Sequence, residues 1–266
     1  MRLRKDQRLL RPVHPNAGIA AIYRRRIDAL VAEMANSYRH WLRARYRANP
    51  PIAADAALPA RDLEKQLSEL GRQWAKQFDE AAPKLAGWFA QKAERRSRAA
   101  LDKILRDAGV SVKFQMNAEM RDAYQATLAE NVGLIRSIPQ EYHAQVQGMV
   151  MRSVSTGRDL EELTKDLQAR FGVTRRRAAL IARDQNNKAT AVFVRVRQKQ
   201  AGITKAVWLH SLGGKEPRKT HLANNGKPYD PSKGWYDPDP RVKRNIWPGE
   251  LINCRCVSRS IVEGFS

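Results

Sequence analysis

The chain has no run approaching the roughly 18 consecutive apolar residues that a membrane-spanning helix needs, which excludes an integral helical membrane protein. It has only two cysteines, Cys254 and Cys256, too few for a disulfide framework, and their C-x-C spacing is a poor geometry for bridging each other; a reducing compartment is expected. It lacks a glycine-rich phosphate loop, an internal repeat and a low-complexity tract. The N-terminal MRLRKDQRLLRPVHP is basic but has no apolar core or small-residue cleavage site, so no secretory signal is read there. Acidic residues are also scarce: 27 Asp+Glu stand against 49 Lys+Arg, leaving a net charge of +22. An excess of that size costs self-repulsion unless a polyanion is nearby, and DNA is the polyanion that most often explains it.

The apolar pattern is helical over most of the 266 residues. Ile19, Ile22, Ile27, Leu30, Val31, Met34, Tyr38, Trp41, Leu42 and Tyr46 recur at three- and four-residue steps, predicting one long helix ended by Asn49-Pro50-Pro51. Leu63, Leu67, Leu70, Trp74 and Phe78 mark a second helix from about residue 61. Pro83 is read as the first turn of a third, with Leu85, Trp88, Phe89, Leu101, Ile104 and Leu105 on its buried side and Gly109 at its end. Further helices are predicted over 117–136 and 139–156, separated by Ser137 and Pro139 and closed by Gly157. Two more follow: one over 159–170, stopped by Gly172, and a basic one capped by Thr174 and terminated by Gly202. Trp41, Trp74, Trp88 and Trp208 are read as core or interface anchors rather than base-stacking platforms.

After Gly202 the composition turns to Trp, Gly, Pro and Asn. Alternation predicts strands over 205–212 and 252–262, with a hairpin near Asn225-Gly226 and one short helical turn between them. The expected fold is therefore mainly α, with long amphipathic helices followed by a small C-terminal α+β module of short antiparallel strands. Two regions are drawn: 1–115, helical, and 116–266, helical to residue 202 and β-rich over 203–266.

Positive charge concentrates in two places. Residues 1–50 carry 12 Lys+Arg against 3 Asp+Glu, and residues 175–200 carry 8 against 1. Arg24, Arg25 and Arg26 are consecutive, as are Arg175, Arg176 and Arg177, and each triplet fans guanidinium groups around a helix where phosphates of any base sequence could be met; Arg183 lies on the same basic helix. A solvated helix face is the ordinary reading of such runs, and the global charge favours DNA over it.

His221, Cys254 and Cys256, with His210 as a fourth candidate, are residue types that zinc prefers. Structural zinc sites draw more often on C-x-x-C, and the two sulfurs are expected to diverge to opposite faces, so neither metal nor another cofactor is expected. A His221–Cys254 nucleophile pair and an Asp184, Glu250, His221 acid set are the catalytic alternatives, and nothing in the sequence brings either together. The chain is accordingly expected to bind rather than to catalyse.

The stretch FGVTRRRAALIARDQNNKATA, then Gly202-Ile203, Trp208, PRKTH ending at His221, Asn225-Gly226-Lys227 and PGELINCRC at 248–256 resembles the Mu F-like phage head morphogenesis family of minor head proteins. The likeness covers roughly the last 110 to 130 residues, so 116–266 is read as the Mu F-like domain. Many relatives carry an acidic residue and spaced arginines before the histidine; here Gly213-Gly214 and Lys215 stand there. Pro248, Gly249, Glu250, Asn253, Cys254, Arg255 and Cys256 match more closely and are read with His221 as the family signature. The resemblance implies a minor head protein at the portal vertex, acting in head assembly and in DNA packaging or delivery. Its implied partners are the portal protein and double-stranded DNA, with major capsid or scaffold protein as further candidates and no membrane. It implies residence in the host cytoplasm during assembly, then in the virion head interior near the portal. The alternative is a nuclease-like or metal-dependent, toxin-like enzyme module using His221, Cys254 and Cys256.

Overall fold

The computed structural model describes residues 4–48, 59–156, 159–213 and 216–264. Four long helices dominate: α1 (Ala17–Ala48), α2 (Pro59–Asp107), α3 (Ala118–Ser155) and α4 (Leu160–Gln200). A fifth, α5 (Lys219–Ala223), lies among six short strands: β1 (Gln7–Leu9), β2 (Lys205–Leu209), β3 (Pro228–Tyr229), β4 (Trp235–Asp237), β5 (Arg244–Ile246) and β6 (Val257–Glu263). Polar side chains start the helices where orphan N–H groups need acceptors. Asn16 Oδ1 accepts from the Ile19 amide at 3.0 Å, Asn117 Oδ1 from Met120 at 2.9 Å, and Asp159 Oδ1 from Glu161 at 2.7 Å. No described helix is long and apolar enough to cross a membrane.

The mainly helical class with a small antiparallel module holds, but three predicted helix breaks do not. Pro83 lies inside α2 and Pro139 inside α3. Interior proline costs about 3 kcal/mol in lost hydrogen bonding and ring clash, yet the buried stripe passes each one in phase. In α2 it runs Leu63, Leu67, Leu70, Trp74, Phe78, Ala82, Ala86, Phe89, Ala93 without a slip, so packing on both sides of Pro83 holds one helix. In α4, Gly172 is likewise interior, and Thr174 does not cap a new helix: its Oγ1 donates to the Arg170 carbonyl one turn back at 3.1 Å. The stops assigned to Asn49-Pro50-Pro51 and Gly157 lie outside the described residues. Trp41 is 42% exposed and lies outside the core, whereas Trp74 and Trp208 are buried.

The chain forms two compact units, each assembled from separate segments. One unit comprises Ala21–Gly87 and Ala129–Ala182, and its elements among the described residues are all helical. Its core is drawn from all four long helices, including Tyr23, Ile27, Val31, Tyr38, Leu67, Phe78, Ile135, Tyr142 and Leu163. Polar side chains fix their registers: Tyr23 Oη donates to Asn131 Oδ1 at 2.9 Å, and Tyr38 Oη lies 3.0 Å from His143 Nδ1 while its ring meets Tyr142 edge-on. Gly71 lets α2 and α3 approach closely, because a Cβ there would stand 2.8 Å from the His143 ring.

The other unit comprises the chain up to Ala20, Trp88–Leu128 and everything from Arg183 onward. Its sheet has the order β1-β6-β2-β3, all antiparallel, and β4 and β5 form a separate hairpin. Strand β1, a three-residue QRL, was not visible in the sequence pattern. One apolar cluster joins Leu10 and Val13 to Leu101 and Leu105 of α2, Val194 of α4 and Val262 of β6. A second is centred on Trp208 with Ala206, Tyr229 and Ile246. Between α2 and α4, Arg197 pairs with Glu94, both buried, and its guanidinium lies 5.1 Å from the Phe114 ring centroid. Asn225-Gly226 is not a tight two-residue turn: it lies at the end of the long connection between the paired strands β2 and β3, just after α5, with Gly226 at φ +76° donating to the Trp208 carbonyl.

Candidate functional site

The C-terminal signature is held against one face of α4. Residues 184, 187, 191, 195 and 198 fall on a common side of a 3.6-residue helix, and this side carries polar groups where unpaired backbone must be met. Asp184 accepts from the Asn253 amide and pairs with Lys188 at 3.1 Å. Asn187 Nδ2 donates to the Cys254 carbonyl at 3.2 Å, and Gln198 Nε2 to the Ser258 and Ser260 hydroxyls of β6. The Arg195 guanidinium lies over the Trp247 ring, 4.2 Å from its centroid. The Asp-Gln-Asn-Asn part of the basic helix is thus the docking side for the residues that the sequence marked as a motif.

Gly249 is where backbone meets helix. It has φ +88°, and a Cβ there would lie 2.8 Å from Ala191 Cβ and 3.3 Å from the Cys256 carbonyl oxygen. Gly249→Ala is therefore expected to destabilise by roughly 2–5 kcal/mol, combining a left-handed backbone penalty with overpacking, and to lower Tm in a thermal melt. A Tm equal to wild type would show that this turn does not constrain the module. Glu250 is structural as well: its carboxylate takes Arg244 at 2.6 Å and the Trp247 amide at 3.0 Å. Arg255 donates to the Gly213 carbonyl at 2.7 Å.

The strand predicted over 252–262 begins only at Val257, so Cys254 and Cys256 sit in the preceding loop. Asn253, at φ +60°, turns the chain into it. The expectation that the two sulfurs diverge is overturned. Residues i and i+2 share a side even in a regular strand, and here both sulfurs converge on one imidazole. His221 Nδ1 lies 3.5 Å from Cys254 Sγ and 3.7 Å from Cys256 Sγ. Its Nε2 is 3.4 Å from Asp237 Oδ2, and Trp208 packs edge-on to the ring. His221 is 2% exposed, Cys254 3%, Cys256 4% and Asp237 0%. The ligand atoms of His221, Cys254 and Cys256 all lie within 4.8 Å of one another.

The two thiols behave as a pair. A hydrogen bond from Cys256, with a second contribution from His221, holds the Cys254 thiol well below its ordinary range. The neighbouring Cys254 sulfur and burial push Cys256 up. Both cysteines are free and buried. His210 lines the adjoining cavity with Ser211, Glu216 and Arg218, and its Nδ1 is taken by the Leu212 amide. The acid set of Asp184, Glu250 and His221 is not assembled, since both carboxylates are engaged as described. Asp237 was missed from sequence: nothing in TrpTyrAspProAspPro distinguishes a buried carboxylate from a turn former.

The arginine triplets meet in the helical unit. Asp28 accepts from Arg24 at 3.4 Å and from Arg175 at 3.5 Å, so α1 and α4 present their basic runs side by side. Arg24, Arg25, Arg26, Arg175 and Arg176 are exposed. Arg39 and Arg175 both lie over the Phe171 ring, at 5.9 and 5.7 Å. Arg177 instead turns to Glu141 at 2.8 Å and Ser137 at 3.0 Å. Arg183 belongs to the other unit and donates to Asn253 Oδ1 at 3.3 Å.

These features define a basic helical protein whose C-terminal module is clamped to a long helix by a short signature loop. Residues 144–259, which contain that helix and loop, match the family described as Phage Mu protein F like protein. A Haemophilus influenzae (strain Rd) protein, described as an uncharacterized protein, is 28% identical over 189 residues, 68% of this chain. The chain spans 40% of that relative's length. No solved structure matches it.

Proposed function

We propose that the protein is a phage minor head protein acting in head morphogenesis, which binds the portal vertex and packaged double-stranded DNA without sequence preference. The observation that carries this reading is the Mu F-like match over residues 144–259, in a chain of net charge +22. The arginines of α1 and α4 that gather around Asp28 are the phosphate-binding surface, and Arg177 serves packing rather than DNA. Guanidinium groups spread on rigid helices suit backbone contacts, which position a protein on a duplex without reading its bases.

Binding to double-stranded DNA is expected to weaken steeply with salt. Changing Arg24, Arg25, Arg175 and Arg176 together to Ala should lower the slope of log K against log salt by about 3–4, as the released counterions are lost. Salt-insensitive binding, or an unchanged slope in the variant, contradicts the assignment. Density for the chain at the portal vertex of an intact particle tests the location, and absence of the chain from purified virions overturns it.

The catalytic alternative gains one observation, the 3.5 Å contact between His221 and Cys254. A nucleophile pair leaves the second sulfur on the same nitrogen unexplained. Plasmid cleavage lost in His221→Ala would favour that alternative.

A further inference from the structure

We propose that His221, Cys254 and Cys256 bind one zinc ion, which fastens the C-terminal module together. Zinc holds thiolate sulfur at about 2.3 Å and imidazole nitrogen at about 2.0–2.1 Å in a tetrahedron, which places ligand nitrogen and sulfur about 3.6 Å apart. The observed Nδ1–Sγ separations are 3.5 and 3.7 Å. Two sulfurs approaching one ring nitrogen from a C-x-C loop is the arrangement a shared ion requires, whereas a cysteine–histidine pair uses only one of them.

The far side of the imidazole gives a second, independent indication. Asp237 is fully buried, and its Oδ2 and the His221 Nε2 that faces it at 3.4 Å have no hydrogen-bond partner among the described residues. A carboxylate in that position is costly unless it meets positive charge. An Nε2–H donor on a metal-bound ring supplies it, fixes Nδ1 as the ligand atom and raises its basicity. Asp237 Oδ1 is already occupied by the Asp239 amide at 3.0 Å, so the carboxylate is held in place for this role.

The site also explains how very short elements hold together. His221 comes from a five-residue helix, Asp237 from a three-residue strand and the cysteines from a loop. None of these is long enough to be stable by itself, and metal-binding energy is folding energy in such modules. A cavity lined by His210, Ser211, Glu216, Arg218 and Asn253 adjoins the three ligands, and a water there would complete the tetrahedron.

The test uses the full chain, reduced and purified with zinc. Elemental analysis is expected to give one zinc per chain. Cobalt loading should give thiolate-to-metal charge transfer together with the intense visible bands of a tetrahedral ion. Cys254→Ser, Cys256→Ser and His221→Ala should each abolish the cobalt spectrum. Asp237→Asn should retain it while weakening zinc affinity about 10–100-fold in a chelator competition, the effect expected of a positioning residue. If the ligand variants fail to fold, the wild-type chain decides. Folded, reduced protein that purifies with negligible zinc and shows no cobalt charge transfer overturns the proposal. So does Cys254 in the zinc-treated protein that is alkylated as fast as a free thiolate.

Discussion

Glu94→Ala is expected to destabilise the protein by about 3–5 kcal/mol, because it strands the Arg197 guanidinium in the interior without its counter-charge. Both side chains are almost fully buried, at 1% and 6% side-chain exposure. Arg197 also faces the Phe114 ring, but a cation–π contact, worth about 2 kcal/mol or somewhat more when desolvated, does not replace a buried counter-charge. Removing one partner of a buried pair is far more damaging than replacing both. Glu94→Leu combined with Arg197→Met is therefore expected to recover most of the loss, and Glu94→Gln to cost less than Glu94→Ala. Urea unfolding of the four proteins checks this, and equal midpoints for Glu94→Ala and the double variant would show that the stranded charge is not the cause.

Trp208→Ala should have a comparable effect, about 3–5 kcal/mol, the range for truncating a buried aromatic. Its ring lies at the middle of an edge-to-face cluster, with centroids 5.1 Å from His221, 5.5 Å from Trp235 and 6.1 Å from Tyr229. Tyr229 donates in turn to Ser258 on β6. Loss of Trp208 should therefore diminish the near-ultraviolet circular dichroism of the module more than the far-ultraviolet helix signal, and lower Tm. An unchanged near-ultraviolet spectrum would mean that the cluster does not depend on its central ring.

The helices were legible because apolar residues repeat at helical spacing over dozens of positions, a signal that averages out local exceptions. Their interruptions were over-read. Pro83, Pro139 and Gly172 carry real local penalties, but a stripe that resumes in phase on the other side reports that tertiary packing outweighs them. Trp41 fits the apolar spacing, but its angular position falls beside the Tyr38–Leu42 stripe and leaves it exposed. Strand β1 offers three residues and no alternation, so its pairing with β6 had no local signature.

The site divides in the same way. His221, Cys254 and Cys256 could be nominated by residue type, whereas their meeting depends on the left-handed turn at Asn253 and on the docking of the loop by Asp184 and Asn187. Those are tertiary facts. The basic triplets were visible as charge, but which arginines share one surface is decided by where carboxylates lie. Asp28 collects two of them into one surface, and Glu141 withdraws Arg177.

Strand β6 reaches its partner β1 across a separation of 256 residues, from Gln7 to Glu263. Contacts so remote in sequence close late, after the entropy of a very long loop has been overcome, so this edge of the sheet should be the slow step of folding. During synthesis, β1 must wait until residue 263 has cleared the ribosomal exit tunnel, and the nascent chain carries an open sheet edge for a chaperone until then.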